Sequence, residues 1–162
     1  METTAGLLDT CVVIELGGGR LDPDELPEQQ WISSVTLGEL SVGPLAAATA
    51  EERARRQLRL QVVEATFAHS ILPYDADAAR TFGRVVANVI ATGRTSRSRT
   101  NDLQIAAIAI THDLPLHTIN VDDFDGINDL HLVPVRLGGR YPKRQGQSEV
   151  ARSNSRERRR RG

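Results

Sequence analysis

The sequence predicts an α/β fold in which helices cover a mostly parallel central sheet. Short apolar runs of strand length alternate along the chain with longer segments whose apolar residues recur at helical spacing. An alternation of this kind is typical of parallel sheets flanked by helices. The 162 residues fit a single domain with its own core. A content of 40% hydrophobic and 25% charged residues is ordinary for a globular protein.

Five short apolar runs are the predicted strands. The first contains Leu7 and Leu8 and is too short for a helix. The glycine triplet at 17–19 marks a loop before the second strand. We expect the strands within 5–13 and at 31–32, 70–72, 114–119 and 130–135.

Four helices are predicted between these strands. Thr49 followed three residues later by Glu52 is a capping box, which begins the helix over 49–67. The segment 101–112 is apolar on nearly every face after its start, which favours a buried central helix. The other helices are expected over 35–45, interrupted by Gly43-Pro44, and over 75–91. The apolar faces of the helices over 49–67 and 75–91 are assigned to Leu58, Val62, Ala65 and Phe67 and to Ala79, Phe82, Val86, Val89 and Ile90.

Charge divides the chain into an acidic body and a basic tail. Residues 136–162 hold ten Lys and Arg against two Glu, a charge of +8, whereas the remaining residues carry −9. Because little after Gly138 can be buried, we expect residues 1–137 to form the domain and 138–162 to be a disordered tail. The arginine cluster at 156–161 suits phosphate contacts, and a dispensable terminus is the alternative.

Composition also excludes several classes of protein. No apolar run approaches the roughly 18–20 residues that cross a bilayer, so no membrane partner is expected. No basic segment with a long apolar run opens the chain, and we therefore expect a cytoplasmic protein. A single cysteine, Cys11, allows neither an internal disulfide nor a zinc site built on cysteine pairs.

Four acidic residues lie where α/β folds place function. Asp9 ends the first predicted strand and Asp123 follows the fourth, and ligands gather at the carboxyl ends of strands in such sheets. Glu39 lies in the first turns of the first predicted helix. Asp102 opens the buried helix, whose dipole favours an ionised carboxylate. We expect these side chains to converge on one edge of the sheet.

Carboxylates that converge in this way require a cation. Two of them about 4 Å apart repel by about 4 kcal/mol at an effective dielectric of about 20, so one of the pair would tend to protonate. Mg²⁺ is held by a few carboxylates together with waters, and Mn²⁺ accepts the same oxygen donors. Such an ion orients a water, lowers its pKa and stabilises the charge on a phosphate being cleaved. Taken singly, each acid is more typical of a helix cap, an ion pair or an exposed charge.

The other polar motifs are less specific. The glycine triplet lacks the pattern of a phosphate-binding loop and reads as a turn. The four histidines have no metal-ligand spacing. Arg94, Arg97 and Arg99 precede Asp102, and they either clamp a phosphate near the metal or form a solvated run of charge.

Four blocks of sequence occur in a specific order. They read LLDTCVVIEL at 7–16, SSVTLGEL at 33–40, NDLQIAAIAI at 101–110 and LPLHTINVDDF at 114–124. Together they resemble the blocks of PIN-domain proteins, and in particular the toxin ribonucleases of VapBC-type toxin–antitoxin pairs. The resemblance covers about residues 5–135, and the order and spacing make the set specific although each block alone is weak.

The resemblance implies a three-layer PIN-like fold and a catalytic set of Asp9, Glu39, Asp102 and Asp123. Asp9 and Asp102 would bind the metal directly. Asp123 would complete the pocket, directly or through water, and Glu39 would position a water or a second metal.

Four further positions belong to the same comparison. Thr118 and Asn120 match polar residues that orient the last block of the family. Cys11 stands where small hydroxyl residues are common, and Ile119 stands where an arginine is common. Loss of that arginine weakens a contact to the partner or to phosphate.

The function implied by the resemblance is that of a toxin. It would be an endoribonuclease dependent on Mg²⁺, or on Mn²⁺, that cleaves tRNA, rRNA or mRNA as a homodimer and is inhibited by a cognate VapB-type antitoxin. A stand-alone PIN nuclease of RNA processing and a catalytically silent PIN binding module are the alternatives. A phospho-receiver domain is disfavoured because it needs a lysine late in the sheet, and Lys143 lies in the tail.

Overall fold

A computed structural model describes residues 4–94 and 99–138 of the chain. In this part of the chain five strands form one parallel sheet in the order β3-β2-β1-β4-β5. The strands are β1 (Ala5–Leu8), β2 (Gln29–Ser33), β3 (Ile71–Leu72), β4 (Leu116–Thr118) and β5 (Leu132–Pro134). The α-helices are α1 (Thr10–Glu15), α2 (Ser34–Val42), α3 (Ala50–Thr66), α4 (Ala76–Ala91) and α5 (Thr100–Thr111), and 3-10 helices span Pro23–Glu25 and Val121–Phe124. The predicted α/β class with a parallel sheet is confirmed.

The sheet separates two layers of helices. Leu7 and Leu8 are both fully buried and, as neighbours on a strand, point to opposite faces. Leu8 packs in a core with Val12 of α1 and Val63 of α3, whereas Leu7 packs with Ile105 of α5 and with α4. Strand β1 is apolar along its whole length because both of its faces are covered.

Helix α5 is the buried helix that the sequence predicts. Six of its residues are buried, and it packs along α4 and against the Leu7 face of the sheet. This burial fixes the start of α5, and with it Asp102, relative to the strands.

The sequence analysis missed α1. Asp9 ends the strand and is also the N-cap of a six-residue helix, with its side chain accepting from the Thr10 N–H. The β-branched pair Val12-Val13 reads as a continuation of the strand, yet both residues are buried in the helix. A helix of fewer than two turns gives no periodic signal, so only the cap marks its start.

The apolar faces of α3 and α4 were predicted correctly only in part. Phe67 and Val89 are buried, and Phe82 and Val86 pack against the core. The other predicted members are exposed: Leu58, Val62, Ala65, Ala79 and Ile90. Leu58 and Val62 of α3 are 61% and 55% exposed, while Val63 and Phe67 are buried. In α4 the buried residues are Ala78, Thr81, Val85 and Val89, and Ile90 is 61% exposed. The choice of face shifted by about one residue because α3 carries apolar side chains on two sides and buries only one of them.

The last described residues close back on the body. Leu21 and Leu137 form an isolated antiparallel bridge, and the Gly138 N–H donates to the Arg20 carbonyl at 2.9 Å. The predicted basic tail lies outside the described residues from position 139 onward. Within the described ranges, no helix is long and apolar enough to cross a membrane.

Candidate active site at the carboxyl edge of the sheet

Three of the four predicted acids lie at or after the carboxyl ends of strands, and the fourth, Asp102, lies at the start of a helix that follows another helix. Asp9 follows β1 directly, and Glu39 lies in α2, which begins at the end of β2. Asp123 lies in the 3-10 helix just after β4, and Asp102 lies in the first turn of α5. Since parallel strands end at a common edge, Asp9, Glu39 and Asp123 lie on one side of the sheet. The effect of their charges on Asp102 puts the start of α5 beside them.

Asp9 is the most enclosed of the four, at 5% exposure. Its Oδ1 accepts from the Thr10 N–H at 2.8 Å, and its Oδ2 accepts from Thr118 Oγ1 at 2.7 Å and from Cys11 Sγ at 3.0 Å. Burial raises the pKa of Asp9, and this effect outweighs the three donors, which act to lower it. The carboxylate is thus held in one orientation in a site that disfavours its charge.

Thr10 links Asp9 to Glu39. Its hydroxyl donates to Glu39 Oε2 while its backbone N–H donates to Asp9. The other oxygen of Glu39, Oε1, accepts from Asn101 Nδ2 at 3.0 Å. Glu39 is therefore fixed from α1 on one side and from α5 on the other.

Asp102 experiences the charges of the other three acids. Burial and then the negative charges of Asp9, Asp123 and Glu39 raise its pKa to about 6, against a smaller opposing effect of Arg99. A raised carboxyl pKa of this origin means that the negative charge of the cluster is not balanced by the protein. The structure therefore brings the four acids into one electrostatic neighbourhood.

Three aspartates compete for the fourth position, and their surroundings differ. Asp123 is half-buried and acts on Asp102. Asp125 is exposed and pairs with Arg94 at 3.2 Å, and Asp122 is exposed. Asp123 is thus the one that belongs to the acidic cluster, in agreement with the Asn-x-x-Asp-Phe spacing.

The donor set suits a hard divalent cation in its chemistry. The acids offer only carboxylate oxygens, and their unbalanced charge would be relieved by a cation. Across the described ranges, however, no three Asp, Glu, His or Cys side chains are arranged so that they could hold an ion by themselves. Mg²⁺ commonly keeps several waters and uses one or two carboxylates, so the residues present fit an ion bound in that way.

Sequence reasoning missed some of the residues that support these acids. Asn101 and Thr10 fix Glu39. Thr36 Oγ1 accepts from Ser33 Oγ at 3.0 Å and lies 3.0 Å from Thr10 Oγ1. Asn101 directly precedes Asp102 in the sequence, so its adjacency was the available signal. Cys11, which stands where small hydroxyl residues are common in the family, donates its thiol to Asp9 Oδ2 at 3.0 Å.

Burial and the neighbouring Asp9 charge raise the pKa of Cys11 to about 11, so the thiol stays protonated and acts as a donor. Thr118 has the orienting role expected for it. Its hydroxyl donates to Asp9 and accepts from the Asn120 N–H at 3.0 Å.

Comparison with known proteins identifies the family to which the chain is similar. The sequence-family model of the PIN domain matches residues 6–128 of this chain. The ribonuclease VapC5 of Mycobacterium tuberculosis is 43% identical over 141 residues, which cover 83% of this chain and 100% of VapC5.

Two solved structures share the fold. A VapBC-5 structure from Mycobacterium tuberculosis, a member of the VapBC family of toxin–antitoxin systems, matches with a TM-score of 0.68 at 38% identity, over 81% of this chain and 98% of that one. The FitAcB structure from Neisseria gonorrhoeae matches with a TM-score of 0.63 at 27% identity, over 80% and 96% of the two chains. The chain belongs to the PIN-domain family and, within it, to the VapC proteins.

Proposed function

We propose that this protein is a metal-dependent endoribonuclease and the toxin of a toxin–antitoxin pair. The observation that carries the proposal is the set of carboxylates from Asp9, Glu39 and Asp123, whose charges meet at Asp102. Unpaired acids gathered at one site disfavour folding, and a site for a divalent cation accounts for them. The named activity of the similar VapC5, a ribonuclease, supports RNA as the substrate.

Asp9 and Asp102 are the residues proposed to bind the metal directly. Asp9 uses three donors on its two oxygens, which leaves part of its four-lone-pair capacity for an ion. Asp102 carries the carboxyl group on which the other charges act. Mg²⁺, or Mn²⁺, would supply an activated water and stabilise the charge that develops on the phosphate.

The protein's own residues provide orientation. Thr118, Cys11 and the Thr10 N–H hold Asp9 in one rotamer, so its remaining lone pair has a fixed direction. Thr10 and Asn101 hold Glu39, which is proposed to position the attacking water. Asp123 completes the pocket, directly or through a water.

The partner is proposed to be a VapB-type antitoxin encoded next to the toxin. A groove of about 620 Å³ runs between α1 and α3. Its walls include Ile14, Leu58 and Val62, which are 38%, 61% and 55% exposed, together with Arg55 and Arg59. An apolar surface of this kind with a basic border fits an amphipathic segment with acidic residues.

A homodimer and a cytoplasmic location complete the proposal. Val42 and Leu45 at the end of α2 are 58% and 81% exposed, and such an apolar pair supports contact with a second copy. The RNA substrate and the antitoxin are both molecules of the cytoplasm, which favours that location.

The proposal is tested by RNA cleavage with the purified protein. We expect cleavage of a mixed cellular RNA sample in Mg²⁺ or Mn²⁺, no cleavage in excess EDTA, and inhibition by the product of a small open reading frame adjacent to the gene. Cleavage in EDTA, after a contaminating nuclease is excluded, would contradict the metal-dependent mechanism. Metal-dependent cleavage without any neighbouring antitoxin would indicate a stand-alone nuclease, and absence of cleavage in every ion would indicate a binding module.

A further inference from the structure

Arg99 carries a guanidinium edge that no acceptor in the described part of the chain satisfies. Its Nε and Nη2 atoms are buried, and neither has a hydrogen-bond partner there. Buried polar groups in folded proteins are nearly always hydrogen-bonded. A pair of buried donors without acceptors on a charged side chain therefore points to a ligand.

Arg20 shows what the same edge binds elsewhere in this protein. Its Nε and Nη2 donate to the two carboxylate oxygens of Glu15, at 3.1 and 3.0 Å. These two nitrogens form the edge of a guanidinium that matches two oxygens of a single anion. Arg99 offers the same edge for a two-oxygen anion.

Arg99 lies next to the acidic cluster. It is the N-cap residue of α5, three positions before Asp102, and its positive charge acts on that carboxyl. Arg94, on the other side of residues 95–98, already donates to Asp125 Oδ2 at 3.2 Å and to the Asp122 carbonyl at 3.3 Å. Of these two arginines, Arg99 is therefore the one whose donors are not already used within the described ranges.

We propose that Arg99 binds the phosphodiester of the RNA substrate at the acidic cluster, with Nε and Nη2 donating to its two non-bridging oxygens. The inference rests on the proposed ribonuclease function and adds a substrate-binding residue to it. A phosphodiester presents two equivalent oxygens and one negative charge, which match the edge in both geometry and charge. Because this edge is closed to solvent in the free protein, the Arg99 side chain has to turn to a rotamer that opens the edge to the phosphate. Two buried donors without acceptors disfavour the closed rotamer, which favours this turn.

The proposed contact between Arg99 and the phosphate also offsets the repulsion between the acidic cluster and the RNA backbone. Four carboxylates repel the phosphate backbone, so the substrate needs a cation beside the one that the carboxylates hold. An arginine at the start of α5 supplies that attraction beside the cluster. Lysine would keep the charge but lose the two-pronged geometry.

The test measures RNA binding separately from cleavage. A short, labelled, mixed-sequence single-stranded RNA is titrated with the full-length protein in Ca²⁺, with gels to show that the RNA stays intact, over a range of NaCl concentrations. For Arg99→Gln we expect binding roughly tenfold weaker. The slope of log K against log salt should fall by about 0.7, the loss of one phosphate contact on a single strand. The RNA affinity of Arg99→Lys should lie between those of the wild type and Arg99→Gln.

Arg80→Gln is the matched control, since it removes one positive charge from an exposed arginine on α4 that pairs with Asp77 at 2.6 Å. We expect its affinity and salt slope to equal those of the wild type. Thermal unfolding of each variant shows whether it is folded. If Arg99→Gln does not fold, Arg99→Lys provides the test, because it keeps the charge but loses the two-pronged geometry.

The outcomes separate the two proposals. If the wild type cleaves RNA in Mg²⁺ while Arg99→Gln binds RNA with unchanged affinity and slope, the role of Arg99 is refuted and the ribonuclease function stands. If Arg99→Gln alters Mg²⁺ affinity but not RNA binding, Arg99 acts only through Asp102 and the proposal is again wrong. If the wild type neither binds nor cleaves RNA, the proposed function fails, and the inference with it.

Discussion

The surroundings of Asp102 disfavour the ionised form of its carboxyl group. Its carboxyl pKa lies near 6 in the folded protein, against 3.8 for an ordinary aspartate. Between these values the folded state binds more protons than the unfolded state, so stability falls as pH rises through this interval. Without a metal, the ionised Asp102 therefore disfavours folding at neutral pH.

We predict that Asp102→Asn stabilises the metal-free protein at pH 7.5 by about 1–2 kcal/mol, after allowance for partial exposure. This corresponds to a rise of roughly 3–6 °C in Tm for a domain of this size. At pH 4.5 the difference should shrink to about a third, since Asp102 is then protonated in the folded state but still mostly ionised in the unfolded state. Thermal unfolding in EDTA at both pH values measures this.

The matched control is Asp122→Asn, which neutralises an exposed aspartate one residue from Asp123. It should leave Tm unchanged at both pH values. A stabilisation by Asp102→Asn that is equal at pH 4.5 and 7.5 would show that charge repulsion is not its cause. Added Mg²⁺ should raise the Tm of the wild type but not that of Asp102→Asn.

At the scale of elements, α3 offers a direct comparison of two neighbouring valines. Val62 is 55% exposed and Val63 is 4% exposed. We predict that Val63→Ala lowers the free energy of unfolding by about 2 kcal/mol, because it removes buried methyl groups and leaves a cavity. Val62→Ala should change it by less than about 0.5 kcal/mol.

Urea unfolding of the two variants measures this difference. Equal losses would mean that α3 turns its Val62 side to the core, as the sequence analysis assumed. If Val62→Ala instead weakens inhibition by the antitoxin, the groove between α1 and α3 is the surface that binds it.

The elements that the sequence predicted are those with strong local signals. Thr49 caps α3 with its hydroxyl accepting from the Glu52 N–H at 3.1 Å, as the capping box implies. Helix α5 was predicted as a buried helix because its own sequence is apolar on nearly every face. Helix α1 was missed because one and a half turns give no period. The faces of α3 were confused because apolar side chains occupy both the core side and the groove side.

For the candidate site, the sequence predicted which acids lie at the carboxyl edge but not how they are held. The topology of a parallel sheet brings Asp9 and Asp123 to one edge whatever the details. The hydrogen bonds from Thr10 to Glu39 and from Asn101 to Glu39 join residues far apart in the chain, and nothing local indicates them. Whether these acids are catalytic stays a prediction.

For the whole molecule, we predict that removal of residues 141–162 leaves the fold intact. All strands and helices of the described chain lie before residue 135, and the removed segment contains almost no apolar residues. The Tm of the truncated protein should match that of the full chain within about 2 °C. A large drop would mean that the segment packs on the body, and a loss of RNA affinity restricted to low salt would identify it as an electrostatic accessory.

The central claim is that the acidic cluster cleaves RNA by holding a divalent metal, and Asp9→Asn tests it most directly. Asparagine keeps the size and one oxygen of Asp9 but removes the charge. Glu51→Gln, an exposed acid at the start of α3, is the control. The measurement is the rate of RNA cleavage in Mg²⁺ by the wild type and by these two variants, each first shown to be folded. We predict that Asp9→Asn lowers the rate by at least about a hundredfold, through loss of metal binding, while Glu51→Gln keeps the wild-type rate. A folded Asp9→Asn protein that binds no metal and cleaves RNA at the wild-type rate would contradict the claim.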